Sequence, residues 1–137
     1  MTDRTKPAVI IADDQEFMLT KVCELLGTEF NVVAKLQDGT NVAQKAMQLK
    51  PDALVLDISM PNVTGIQAAD EVRRLGLPVR LVFLTVQEDE EYVRAAAAMN
   101  ASYVLKRRMH LDLCLALREA LTGKVFVSPS SVLHPVT

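Results

Sequence analysis

Five short apolar runs, each followed by a segment with helical spacing, constrain this chain more than any other feature. The runs are Ala8-Val9-Ile10-Ile11-Ala12, Asn31-Val32-Val33-Ala34, Ala53-Leu54-Val55-Leu56, Val79-Arg80-Leu81-Val82-Phe83-Leu84 and Ala101-Ser102-Tyr103-Val104-Leu105. The first, third and fourth are apolar almost throughout, the pattern of strands covered on both faces. The second and fifth are more mixed and suit sheet edges. Between the runs, Phe17, Val22, Leu25 and Leu26 recur near helical spacing ahead of Gly27, Val42, Ala46 and Leu49 ahead of Pro51, and Ile66, Ala69, Val72 and Leu75 ahead of Gly76. Ala95 to Ala98 favours helix, and Leu113, Leu117 and Leu121 form a stripe ended by Gly123. This alternation predicts a doubly wound α/β domain, with a five-stranded parallel sheet, helices on both faces and right-handed crossovers.

Composition supports one such domain. The chain has 137 residues, 50% of them hydrophobic, enough to bury a core without disulfide or metal staples. Lys plus Arg is 15 and Asp plus Glu is 17, a net charge of −2, which argues against disorder and against holding a polyanion by charge alone. No apolar run approaches the ~18 residues of a membrane span. Met1 to Pro7 is not followed by the apolar core of a signal peptide, so a cytoplasmic location without a membrane partner is the expectation. Cys23 and Cys114 lie far apart with no metal-ligand spacing, which predicts two reduced, buried thiols. After Gly123, the segment from Val125 to Thr137 carries two prolines, three serines and no acidic residue. The expected organisation is a domain over 7–123 and a linker or ordered arm over 124–137, and a linker implies a further segment in the parent protein.

In a parallel α/β sheet, ligands bind beyond the carboxyl ends of the strands. The first run ends in Asp13-Asp14, the third in Asp57, the fourth in Thr85 and the fifth in Lys106. With adjacent strands, three carboxylates, a hydroxyl and an ammonium converge there. Three clustered carboxylates repel one another unless a cation joins them, and Lys106 offsets only part of that charge. An all-oxygen site of this kind suits Mg²⁺, which keeps several waters and takes one or two carboxylates directly. Helix capping and turn formation could account for the aspartates, but not for the threonine and lysine at the other two strand ends.

The runs Val9-Ile10-Ile11-Ala12-Asp13-Asp14, Leu54-Val55-Leu56-Asp57-Ile58-Ser59-Met60-Pro61 with Gly65 following, Leu84-Thr85 and Tyr103-Val104-Leu105-Lys106 resemble a CheY-like response-regulator receiver domain over about residues 7 to 123. The resemblance implies the flavodoxin/CheY-like strand order 2-1-3-4-5. It implies that Asp57 accepts a phosphoryl group from a sensor histidine kinase or a small phosphodonor. Asp14 would bind Mg²⁺ directly and Asp13 chiefly through water, with Asp57 and the Ser59 backbone carbonyl completing the protein's ligands. Thr85 would hydrogen-bond a phosphoryl oxygen, Lys106 would pair with the phosphorylated Asp57, and Tyr103 would turn inward as Thr85 moves. Such a chain is a signalling domain that assists its own phosphorylation and dephosphorylation, not an enzyme with a turned-over substrate. Leu117-Arg118-Glu119-Ala120-Leu121-Thr122-Gly123-Lys124-Val125-Phe126-Val127-Ser128-Pro129 is similar to the receiver ends of NarL/LuxR-type transcriptional regulators, which implies DNA contact only through an output domain outside this chain.

Several positions depart from the family pattern. Val86 follows Thr85 where a small residue is usual, and is expected to narrow the path of water or of the phosphodonor. Asn100 and Ser102 stand where glycines are common, which predicts a stiffer or differently turned loop. Arg107 argues against the subclass with a Lys-Pro step, and Lys106-Arg107-Arg108 reads as a solvated loop that offsets nearby carboxylates. Leu111 and Leu115 fall off the buried stripe of the last helix and could mark a homodimer surface. Two other families are disfavoured. A haloacid-dehalogenase-type phosphatase needs a second Asp where Ser59 stands, and Asp13-Asp14-Gln15-Glu16 would repel the phosphate of a flavin. A stand-alone or degenerate receiver that works only by protein docking is the remaining alternative.

Overall fold

The computed structural model of the chain describes residues 5–129. The last part of the expected arm, residues 130–137, lies outside the described residues. Strands β1 (Ala8–Ala12), β2 (Asn31–Leu36), β3 (Ala53–Leu56), β4 (Arg80–Thr85) and β5 (Ser102–Leu105) alternate with helices α1 (Glu16–Leu26), α2 (Val42–Leu49), α3 (Gly65–Arg74), α4 (Glu90–Ala98) and α5 (Met109–Leu121). A single 3-10 turn, Lys106–Arg108, joins β5 to α5. All neighbouring strands run parallel, in the order β2-β1-β3-β4-β5.

The continuous apolar character of the central strands follows from helices on both faces. Along β1, Ile10 and Ala12 join the cluster under α2, α3 and α4, while Val9 and Ile11 join the one under α1 and α5. Strand β3 divides in the same way, Leu54 and Leu56 to one side and Ala53 and Val55 to the other. Each such Leu, Ile or Val contributes about 1.5–3 kcal/mol by leaving water. No helix among the described residues is long and apolar enough to cross a membrane.

The helical stripes shift at their ends. Phe17, Leu49 and Leu75 are exposed, while Met18, Leu19, Ala43 and Ala68 are buried. The small residues let the helix backbones approach the sheet, and large ones in a first or last turn project past its margin. Cys23 and Cys114 are half-buried rather than fully buried. The Cys114 thiol donates to the Leu25 carbonyl at 3.4 Å, and burial pushes its pKa up. Asn100 takes φ 56, a left-handed conformation that Asn tolerates, so it makes a glycine-like turn there.

Helix α3 starts with a full capping box: Gln67 N–H donates to Thr64 Oγ1 at 3.2 Å and Thr64 N–H donates to Gln67 Oε1 at 2.9 Å. Thr64→Ala should cost about 1 kcal/mol, read as a lower urea midpoint at unchanged slope.

Candidate functional site

Asp13 and Asp57 sit immediately after β1 and β3, whose backbones are paired side by side, and Asp57 N–H donates to the Ala12 carbonyl at 3.0 Å. Both carboxylates are buried, whereas Asp14 is exposed at the rim. A ligand oxygen from each of Asp13, Asp14 and Asp57 can be chosen so that the three lie within 4.8 Å of one another. Lys106, directly after β5, reaches back between them, with Nζ 2.7 Å from Asp13 Oδ2 and 3.0 Å from Asp57 Oδ2. Thr85, the last residue of β4, is wholly buried. All five strand-end residues singled out in the sequence therefore meet at one end of the sheet.

The electrostatics are unequal across the ion pairs. Burial raises the pKa of Asp57, and Asp13 adds to the rise, so the opposing contacts with Lys106 do not hold it at its ordinary value. Burial alone would lower Lys106, but its contacts with Asp13 and Asp57 outweigh that and raise it. Asp57 thus carries a charge that its surroundings compensate only in part.

The donor set fits a hard divalent cation. Asp13 Oδ2 is buried and makes no hydrogen bond of good angle, its contact with Lys106 being an ion pair only. Apart from the Lys106 ammonium, the polar side-chain atoms that converge there are oxygens, the donors Mg²⁺ takes. Ser59 is exposed beside the pocket and its N–H lies 3.4 Å from Asp57 Oδ1.

Tyr103 is buried, 1% exposed, with its ring 6.5 Å from that of Phe83. Its hydroxyl donates to the Gln87 carbonyl at 2.7 Å, and burial drives its pKa far up. It is thus packed inward, not half-exposed on an edge strand. Gln87, which the sequence reading passed over, links several of these groups: its N–H donates to Thr85 Oγ1 at 3.2 Å and its amide to Ser59 Oγ at 3.0 Å. No local spacing marks Gln87, because two of its partners, Ser59 and Tyr103, are distant from it in sequence. Val86 stands at the rim, 66% exposed. The basic run after β5 is spent in ion pairs, Arg107 with Glu88 at 3.1 Å and Arg108 with Asp112 at 2.8 Å.

Gly65 opens α3 beside the pocket. A Cβ there would overlap the Asp57 carbonyl, since α3 begins directly against the backbone of the pocket. Gly65→Ala should cost about 1–3 kcal/mol, the usual range for overpacking. Amide chemical shifts around Asp57 should move with it, and unchanged shifts would show that α3 and the pocket are independent.

Comparison with known proteins agrees with this geometry. The model of the response regulator receiver domain matches residues 9–118. The chain is 31% identical over 135 residues to the transcriptional regulatory protein DegU of Brevibacillus brevis, covering 97% of this chain and 55% of DegU. It is 30% identical over 131 residues to the nitrate/nitrite response regulator NarL of Escherichia coli, covering 93% of this chain and 61% of NarL. The chain therefore spans less than two thirds of these curated relatives. Among solved structures, it resembles the receiver domain of a NarL-type regulator from Mycobacterium tuberculosis with a TM-score of 0.81 and 26% identity, over 87% of this chain and 98% of that one. It resembles the isolated receiver of RcsB from Salmonella enterica, solved with the phosphomimetic BeF3−, with a TM-score of 0.82 and 28% identity, over 93% and 96% of the two chains.

Proposed function

The chain belongs to the response regulator receiver domain family, and from that premise we propose that it takes a phosphoryl group onto Asp57 to switch a two-component transcriptional regulator. The observation that carries the reading is Lys106 Nζ, held 2.7 Å from Asp13 and 3.0 Å from Asp57, with the Thr85 hydroxyl at the neighbouring strand end. The donor is a phosphohistidine on a sensor histidine kinase, or a small phosphodonor. An Asp57 oxygen attacks phosphorus, the new P–O bond forms as the P–N bond breaks, and the electron pair leaves with the imidazole, which takes up a proton. Lys106 meets the developing charge and pairs with the phosphorylated side chain. Thr85 donates its hydroxyl to a phosphoryl oxygen, and Tyr103 occupies the inward position behind it.

Asp14, Asp57 and the Ser59 carbonyl would hold Mg²⁺ directly, with Asp13 acting through water. When bound, Mg²⁺ supplies Lewis-acid neutralisation of the phosphoryl oxygens. On this reading the domain is a signalling device with no substrate turned over. Its DNA contact runs through an output domain of the kind carried by NarL-type regulators, and it works in the cytoplasm. Leu111 and Leu115 of α5, 71% and 39% exposed, are the proposed homodimer surface.

Intact-protein mass after incubation with a small phosphodonor tests the reading. One phosphoryl group should be gained by the wild type with Mg²⁺, and none without Mg²⁺ or by Asp57→Asn. An adduct that survives Asp57→Asn would place the acceptor elsewhere.

A further inference from the structure

The arm after α5 is fastened to the strand that carries both Tyr103 and the approach to Lys106. Tyr103 N–H donates to the Phe126 carbonyl at 2.8 Å, and Ser128 N–H donates to the Tyr103 carbonyl at 2.8 Å. Val127 thereby forms a parallel bridge beside Tyr103. On either side of that bridge, Phe126 N–H donates to Ser102 Oγ at 3.0 Å and Leu105 N–H donates to Ser128 Oγ at 3.2 Å. The Ser128 hydroxyl in turn donates to Asp112 Oδ2 at 2.7 Å, and Arg108 grips the same carboxylate. Ser128 and Asp112 are buried, 2% and 4% exposed. One hydroxyl therefore ties together the arm, helix α5 and the backbone one residue before Lys106.

We propose that Ser128 is a positioning residue for the acidic pocket, so that docking of the arm on β5 and occupation of the pocket at Asp57 favour each other. The inference rests on the phosphoacceptor reading of that pocket. Its physical basis is the four-residue strand Ser102–Leu105. The arm holds the Tyr103 backbone, while the Tyr103 hydroxyl reaches Gln87 and through it Thr85. Lys106 follows directly on Leu105, whose N–H is held by Ser128. Without the Ser128 hydroxyl, Leu105 N–H and Asp112 Oδ2 each lose a buried partner, which a strand relieves by shifting or fraying. Besides these bonds, Phe126 packs against the apolar cluster under α1 and α5, while Val125 and Val127 are 46% and 43% exposed, so of the arm's described polar side chains Ser128 alone reaches both β5 and α5. The sign follows from Tyr103 being inward while the arm is docked: the two states are compatible, so stabilising one stabilises the other. Linkage makes the coupling reciprocal.

The test uses the full chain with BeF3− and Mg²⁺ as the phosphoryl stand-in. Amide exchange over residues 101–106 and 124–129 should slow by about fivefold when the pocket is filled, and Ser128→Ala should weaken BeF3− binding by about the same factor, at the low end of typical coupling. Val72→Ala, in the far half of α3, serves as a variant of matched stability loss and should bind BeF3− as the wild type does. If BeF3− binds but arm exchange stays unchanged, or Ser128→Ala binds as tightly as wild type, the coupling is overturned and the phosphoacceptor reading stands. If neither Mg²⁺ nor BeF3− binds, both fall together. The exchange measurement needs no variant, so it decides the matter even if Ser128→Ala fails to fold.

Discussion

Lys106→Met is expected to cost the metal-free protein about 3 kcal/mol, and Mg²⁺ is expected to restore most of it. Lys106 is the cation nearest both Asp13 Oδ2 and Asp57 Oδ2, whose side chains are 5% and 6% exposed. Breaking a buried pair by removing one partner costs about 3–5 kcal/mol, because the remaining charge is left in a poor medium. Here the lower end applies, since Asp57 already has a raised pKa and can relieve its charge by taking up a proton. Methionine keeps the length and apolar stem of the lysine, so lost packing contributes little. A divalent cation among the three carboxylates supplies the missing charge, and the variant should bind it more tightly than the wild type because the competing ammonium is gone. Urea melts with and without Mg²⁺ measure both effects. A variant as stable as the wild type without metal would show that the pocket's carboxylates are solvated well enough to need no partner.

What could be read in the sequence divides along physical lines. Strand identity was legible where both faces are covered, because burial on two sides removes the need for polar alternation: Val9-Ile10-Ile11 and Leu54-Val55-Leu56 carry that signal unaided. The strand-end residues were legible for a related reason, since a parallel sheet brings every strand's carboxyl end to the same side. Edge assignment held, since β2 and β5 close the two ends of the sheet. β2 is half-exposed, whereas β5 is buried throughout, because the arm over Phe126–Ser128 covers its free edge. That docking was invisible in the sequence. Val125-Phe126-Val127 has strand-forming residues, yet too few to say which strand they join, and the choice rests on Ser102, Asp112 and Ser128, which are distant in sequence. Gln87 escaped because its partners Ser59 and Tyr103 lie on distant elements. Gly65 stood in the motif, but its contact with the Asp57 carbonyl was hidden because it works through the absence of a side chain.

Asp57→Asn should make the metal-free protein more stable at pH 7 and less responsive to Mg²⁺, so that the order of stabilities reverses when metal is added. Burial, with Asp13 beside it, raises the folded-state pKa of Asp57 above the unfolded value of 3.8, against the pull of Lys106. The folded chain therefore holds that proton more tightly than the unfolded chain does. The stabilisation from this group is fully present below pH 3.8 and is lost as pH rises through the raised folded-state value. Above that raised value the ionised carboxylate is a net cost to folding. The attraction to Lys106 is already counted in that balance, and Lys106, 2.7 Å from Asp13 in the wild type, still has a carboxylate partner when Asp57 is replaced. Asparagine copies the neutral form, so its advantage at pH 7 should shrink steadily and vanish near pH 3.8 and below. Magnesium acts in the opposite direction. At a free concentration of about 100 times its dissociation constant it stabilises the folded wild type by about 2.7 kcal/mol. The variant, with one of three carboxylates gone, should gain much less. Melting temperatures at pH 7 and pH 4, each with and without Mg²⁺, contain the whole comparison. A metal-free Asp57→Asn protein that melts below the wild type at pH 7 would mean that the ion pair with Lys106 outweighs the cost of burying the charge.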